Sequence, residues 1–195
     1  MKKILLFFCF LQICFTCFAQ NINKYKKKSA LAIQFILNDF STAVIIKQSS
    51  IGSAINNKNW SALKDMNAGI AFQYLKGLNN HIDFSAESNI SFLEYPLKNN
   101  FEVTRSALIE ADAGIHLKML PDKYIIVPYL SMGIGASFYK IYFGAYMPVG
   151  AGFQFNIAKQ QTFILTCMQY RFSFTNTTSD HFNYSLGAAI ALNNK

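Results

Sequence analysis

The sequence is poor in the residues that staple, ligate or catalyse. It has four cysteines, and Cys9, Cys14 and Cys17 all fall in an apolar leader. Once the leader is removed only Cys167 remains, so an internal disulfide is excluded even in an oxidising compartment. That thiol reads as inert, buried packing. The three histidines, His81, His116 and His181, show no metal-ligand spacing. No Gly-x-Ser-x-Gly elbow occurs, and the pair His181 and Ser185 has no acid partner beyond the adjacent Asp180. Nothing here points to an enzyme, a metal or a cofactor. After residue 20 no stretch holds the roughly 18 uninterrupted apolar residues of a membrane-spanning helix.

Acidic residues are also few. Ten Asp and Glu face eighteen Lys and Arg, for a net charge of +8. The basic residues are spread over turns and loops rather than gathered on one face, and an exported chain meets no nucleic acid, so that partner class is set aside. The one cluster is Lys24-Tyr25-Lys26-Lys27-Lys28. Contact with anionic phospholipid headgroups and a solvated tail both fit it.

What is present begins with an export signal. Lys2 and Lys3 precede an apolar core from Ile4 to Phe18, and Cys17-Phe18-Ala19 supplies small residues at the two positions a signal peptidase reads. Residues 1–19 are therefore expected to be a signal peptide cut after Ala19. Residues 20–29 are expected to be a basic periplasmic segment, and 30–195 one barrel domain. A membrane anchor needs a longer apolar run, and a lipoprotein needs a small residue where Ile13 and Thr16 stand before Cys14 and Cys17.

The rest of the chain alternates with period two. Between Pro128 and Ile157 one set of alternate residues is small or polar (Tyr129, Ser131, Gly133, Gly135, Ser137, then Gly150, Gly152, Gln154, Asn156). The other set is apolar: Leu130, Met132, Ile134, Phe138, then Val149, Phe153, Phe155 and Ile157. Similar segments run Ala30–Phe40, Met66–Lys76, His81–Tyr95, about Phe101–Met119, Thr162–Phe174 and Phe182–Leu192. Each is near the ten residues a tilted membrane strand requires. The expectation is an all-β fold, an eight-stranded antiparallel up-and-down transmembrane β-barrel.

Two patterns orient it. Gly69, Gly114, Gly133, Gly135, Gly150, Gly152 and Gly187 all share the polar parity. In a closed small barrel that face lines a crowded interior, where small residues make room for larger ones, while the apolar face meets lipid. The connections also differ in kind. Those after strands two, four and six read as tight turns. Those after one, three, five and seven read as looser loops, including Tyr139 to Tyr146 after strand five. Short turns on the periplasmic side and longer loops outside are the habit of outer-membrane barrels. Strand seven is untidy, because Phe163, Leu165 and Cys167 share the polar parity, and a bulge near Thr166 is the expected remedy. A short helical turn is expected at Asn59–Leu63, in the long connection Ser41–Asp65.

Asn38-Asp39-Phe40, Trp60-Ser-x-Leu-x-x-Met66-Asn, Leu75-Lys-Gly-Leu-x-Asn-His-Ile-Asp-Phe84, Ser91-Phe-Leu-x-Tyr-Pro96, Pro148-Val-Gly-Ala-Gly152 and Gln169-Tyr-Arg171 together resemble the membrane barrel of OmpA-family proteins of the Bacteroidota type. The resemblance spans about Ala30 to Leu192. It implies the barrel alone, since the sequence stops at Lys195 without the peptidoglycan-binding domain that many members carry. It implies outer-membrane lipid and the barrel assembly machinery as partners, although the terminal aromatic residue many barrels show that machinery is lacking.

The candidate functional residues are the inward-facing charges Asp83, Glu87, Glu110, Asp112, His116, Lys118 and Arg171. They are expected to pair into a lumen network, because unpaired buried charge is costly. Trp60, in the long connection, is the candidate surface contact. The leading expectation is a structural outer-membrane barrel serving envelope integrity or surface contact. A narrow ion or small-solute channel comes second. A soluble periplasmic barrel that turns its apolar face inward around a hydrophobe comes third.

Overall fold

Period-two alternation puts successive side chains on opposite faces of a strand, and a strand with one apolar face must bury or immerse it. In the computed structural model, which describes residues 25–50, 52, 56, 60–93, 106–157 and 161–192, eight such strands close on themselves. They are β1 (Ala30–Asp39), β2 (Asn67–Gly77), β3 (Ile82–Leu93), β4 (Ser106–Lys118), β5 (Ile126–Tyr139), β6 (Tyr142–Asn156), β7 (Thr162–Ser173) and β8 (His181–Ala191). Each pairs antiparallel with the next, and β8 returns to β1, so the ring is an up-and-down closed barrel without a free edge. The proposed leader lies outside the described residues.

The strands are staggered. A ladder traced from Asn38 through Asn183, Gln169, Gly150, Ser131, His116 and Asp83 reaches Gly77. The Gly77 N–H bonds the carbonyl of Lys27, about one β1 length before Asn38. Such a stagger is what tilts strands enough to close a narrow ring.

The oily face looks outward. Ile33, Phe72 and Ile134 are 62, 59 and 74 % exposed, while Gln34, Gln73 and Ser131, on the opposite face of the same strands, are buried. A continuous exposed belt of this kind is foreign to water-soluble monomers and suits lipid. The inverted arrangement, with a greasy pocket for a hydrophobe, is not this barrel.

The glycines make the lumen habitable. A Cβ on Gly152 would sit 2.6 Å from the Tyr129 ring, and one on Gly135 would sit 2.5 Å from the Tyr146 ring. Both tyrosine rings occupy space that a side chain at those positions would fill.

Three local expectations need correction. First, β7 has no bulge. Its register with β6 and with β8 is continuous through Thr166. Phe163 and Leu165 simply face inward, where they pack with Ala30, Ala32, Leu75, Tyr129 and Ala189 as an apolar layer across the lumen. Second, the connection after β5 is a tight hairpin. The pairing runs out to Tyr139 and Tyr142, leaving Lys140 and Ile141, with Lys140 at φ 54. The aromatic residues assigned to a loop keep the strand parity, with Phe143 outward opposite Phe138 and with Tyr139 and Tyr146 inward. Third, the first strand stops at Asp39, because Phe40 opens helix α1 (Phe40–Gln48). The Asp39 carboxylate accepts from the Thr42 N–H at 2.9 Å, an N-cap that ends the strand and starts the helix in one residue. The only other helical feature among residues 60–66 is a 3-10 turn at Leu63–Asp65, just past the predicted position.

Candidate functional site

All seven inward charges lie within the lumen, gathered at two levels. Strand alternation puts Asp83, Glu87 and Asn89 on one face of β3 and Glu110, Asp112, His116 and Lys118 on one face of β4. Pairing sets Glu87 opposite Asp112 and Asp83 opposite His116.

The level nearer the loops is organised by Arg171 on β7, which is fully buried. Its guanidinium hydrogen-bonds Glu110, lies 3.2 Å from Glu87 and 3.6 Å from Asp112. The Tyr146 hydroxyl donates to Asp112 at 3.1 Å, and the guanidinium lies over its ring, 5.1 Å from the centroid. His181, considered in the sequence only as a metal ligand or as part of a catalytic pair, joins this group. Its Nε2 is 3.6 Å from Glu110, its Nδ1 donates to the Ser179 carbonyl at 3.0 Å, and its ring stacks on Phe40 at 4.5 Å. Phe40 in turn packs with Leu93, Leu108 and Tyr139, an apolar cap at the loop-side mouth.

The level nearer the turns is built on Asp83. Lys27 and Lys118 approach its two carboxylate oxygens at 2.5 and 2.9 Å, and Lys118 also reaches Asp122 at 2.9 Å. Gln154 accepts from Lys27 and donates to Asp122. Above them His116 stacks on Tyr129 at 4.5 Å.

Lys27 departs from the expectation of headgroup contact or a solvated tail, which its exposed neighbours leave open. Its neighbours Lys26 and Lys28 are exposed, but Lys27 is 6 % exposed and enters the turn-side mouth. Its backbone carbonyl accepts from Gly77, and its ammonium lies 4.9 Å from the Phe163 ring centroid. Burial pulls the Lys27 ammonium below its ordinary value, with the Asp83 and Asp122 carboxylates opposing. The alternation that marks inward residues in strands does not extend to residues before β1, so only the surplus of carboxylate at Asp83 could have hinted at it.

Trp60 lies apart, on the outer wall. Its indole N–H donates to the Tyr184 hydroxyl at 3.0 Å and its ring leans on Phe182. Ser61 and Thr42, bonded to each other and to the Asp39 cap, tie this segment to the start of α1. Lys47 at the far end of α1 pairs with Asp180 at 2.7 Å. The long connection is thus fastened along the β8 side of the rim.

Chemically, the turn-side level sets two ammonium groups against two carboxylates, while at the loop-side level one guanidinium serves three carboxylates. No group of three or more His, Cys, Asp or Glu among the described residues has the geometry to hold a metal ion. No protein-family profile matches the chain, and no curated protein sequence matches it. Solved structures do resemble it. Ail, the attachment invasion locus protein of Yersinia pestis, is 14 % identical with a TM-score of 0.51, over 85 % of this chain and 98 % of that one. Neisserial surface protein A is 10 % identical with a TM-score of 0.57, over 86 % of this chain and 99 % of that one. At such identities the likeness shows the shared eight-stranded barrel fold.

Proposed function

We propose that this protein is an integral outer-membrane barrel of the OmpA-like kind, a structural element of the envelope whose lumen is sealed and whose loop end offers a surface for contact. One observation carries the reading: an ion-paired polar interior inside a wall whose outer face is apolar. The interior charges have partners within the barrel, so their first role is to fill and stiffen it. The Phe40 cap, the Arg171 group, the apolar layer at Phe163 and Leu165, and the Asp83 group stand one above another along the axis.

The test uses the full chain expressed with its leader in a Gram-negative host. Recovery in the outer-membrane fraction, with a gel mobility that changes on boiling, supports the membrane reading. Recovery in the soluble periplasm overturns it. Planar-bilayer recordings then test the seal. A sealed barrel gives no steady current. A reproducible unitary current altered by Glu87→Gln or Arg171→Gln would instead establish the narrow channel.

A further inference from the structure

The two ends of the barrel expose different charge. At the turn end the described carboxylates, Asp83 and Asp122, are both buried and engaged by Lys27 and Lys118. Among the described residues, the charged side chains left outside are Lys26 and Lys28 before β1, Lys76 near the end of β2, and Lys123 in the β4–β5 turn. None of them is ion-paired among the described residues. At the loop end the signs are mixed, since Lys47 pairs with Asp180 and Lys64 stands beside the exposed Asp65.

These lysines do not stand on a polar surface. Leu78 is 50 % exposed in the turn after Lys76, and Lys123 is followed by Tyr124 and Ile125, 43 and 74 % exposed. Met119 and Ile157, at 62 % each, complete an apolar rim just outside the strands. The Lys123 ammonium is held over the Tyr124 and Tyr25 rings at 4.9 and 5.7 Å. A soluble polyanion could satisfy the ammonium groups, but it would leave Ile125, Leu78 and Ile157 in water. A bilayer interface satisfies both, with glycerol and upper acyl chains against the rim and phosphates against the lysines.

We propose that Lys26, Lys28, Lys76 and Lys123 form a collar that selects anionic phospholipid in the leaflet at the turn end. The proposal rests on the membrane reading above and adds the lipid class and the leaflet. Burying Asp83 and Asp122 inside is what leaves the collar of one sign.

The experiment reconstitutes the mature chain in vesicles of equal phosphatidylcholine and phosphatidylglycerol, extracts it with its lipid annulus in polymer discs, and measures the lipids by mass spectrometry. Phosphatidylglycerol should be enriched over the bulk by about threefold or more, given the attraction of each lysine near a charged surface. The combined variant Lys26→Gln, Lys28→Gln, Lys76→Gln, Lys123→Gln should lose the enrichment. The loop-end control Lys47→Gln, Lys64→Gln, Lys140→Gln should keep it. Wild type without enrichment, or a folded, heat-modifiable collar variant that keeps it, overturns the collar while leaving the membrane reading intact. A wild-type chain that fails to insert takes down both.

Discussion

Lys27 and Asp83 meet inside the barrel, with the ammonium 2.5 Å from the carboxylate, although Lys27 belongs to no strand and Asp83 lies on β3. The pair ties the segment before β1 into the wall. It also makes the two partners unequal, because Asp83 is bridged by two lysines, while Lys27 has Asp83 as its near counter-charge and the Asp122 carboxylate as a weaker one.

That inequality predicts an order. Asp83→Asn leaves two buried ammonium groups with one fewer counter-charge and should cost about 3–5 kcal/mol, the range for breaking a buried pair from one side. Lys27→Met leaves Asp83 still paired with Lys118 and should cost less. Urea unfolding in lipid vesicles, read as the shift in free energy, checks this. Equal costs, or Lys27→Met the larger, would remove Asp83 from the centre of the group.

Arg171 holds three carboxylates together, so Arg171→Gln should be the most destabilising single change among the lumen charges. Glu87, Glu110 and Asp112 then face one another uncompensated. Acidification discharges carboxylates, so the variant should recover stability relative to wild type as pH falls. Unfolding midpoints of both proteins over an acidic pH series give the sign directly.

Gly135 and Tyr146 share one space. Gly135→Ala puts a methyl group 2.5 Å from the ring and should cost about 1–3 kcal/mol by overpacking. Adding Tyr146→Leu should return part of that loss, so a double-mutant cycle should show coupling. Additive losses would mean that the ring does not occupy that space. Gly114 offers a contrast, since its added Cβ would strike backbone at 2.3 Å and no side-chain change should rescue Gly114→Ala.

Trp60 is the sole tryptophan and sits against Tyr184 and Phe182 on the outer wall. If that level is the membrane interface, its emission should be quenched more by lipids brominated near the carbonyls than by lipids brominated at the chain ends. Quenching by neither would place the residue in water and detach the long connection from the wall.

The strands and their facing were legible because alternation is a local signal, repeated in each strand. Ile33, Ile134 and Phe153 face out for the same reason that Gln34, Gly135 and Gln154 face in. What was not legible depended on partners distant in sequence. Lys27 looks like its neighbours until Gln154 and Asp83 are brought to it. Phe163 and Leu165 violate the polar parity, and only the apolar layer formed with Leu75 and Ala189 explains them without a bulge. The β5–β6 hairpin was missed because Tyr139 to Tyr146 read as a looser loop, although the pairing runs out to Tyr139 and resumes at Tyr142. His181 was weighed only as a metal ligand or a catalyst, and its placement beside Glu110 comes from the pairing of β8 with β7.

Because β1 and β8 are neighbours, the Leu192 N–H bonds the carbonyl of Ser29 and the two ends of the barrel domain lie side by side. The ring therefore has no privileged starting point. A short linker across that seam, with the chain reopened at Lys140–Ile141 or beyond Ser173, should yield a permuted protein with the same wall. Its success would depend on how late in synthesis the closing seam can form, and no longer on which strand emerges first.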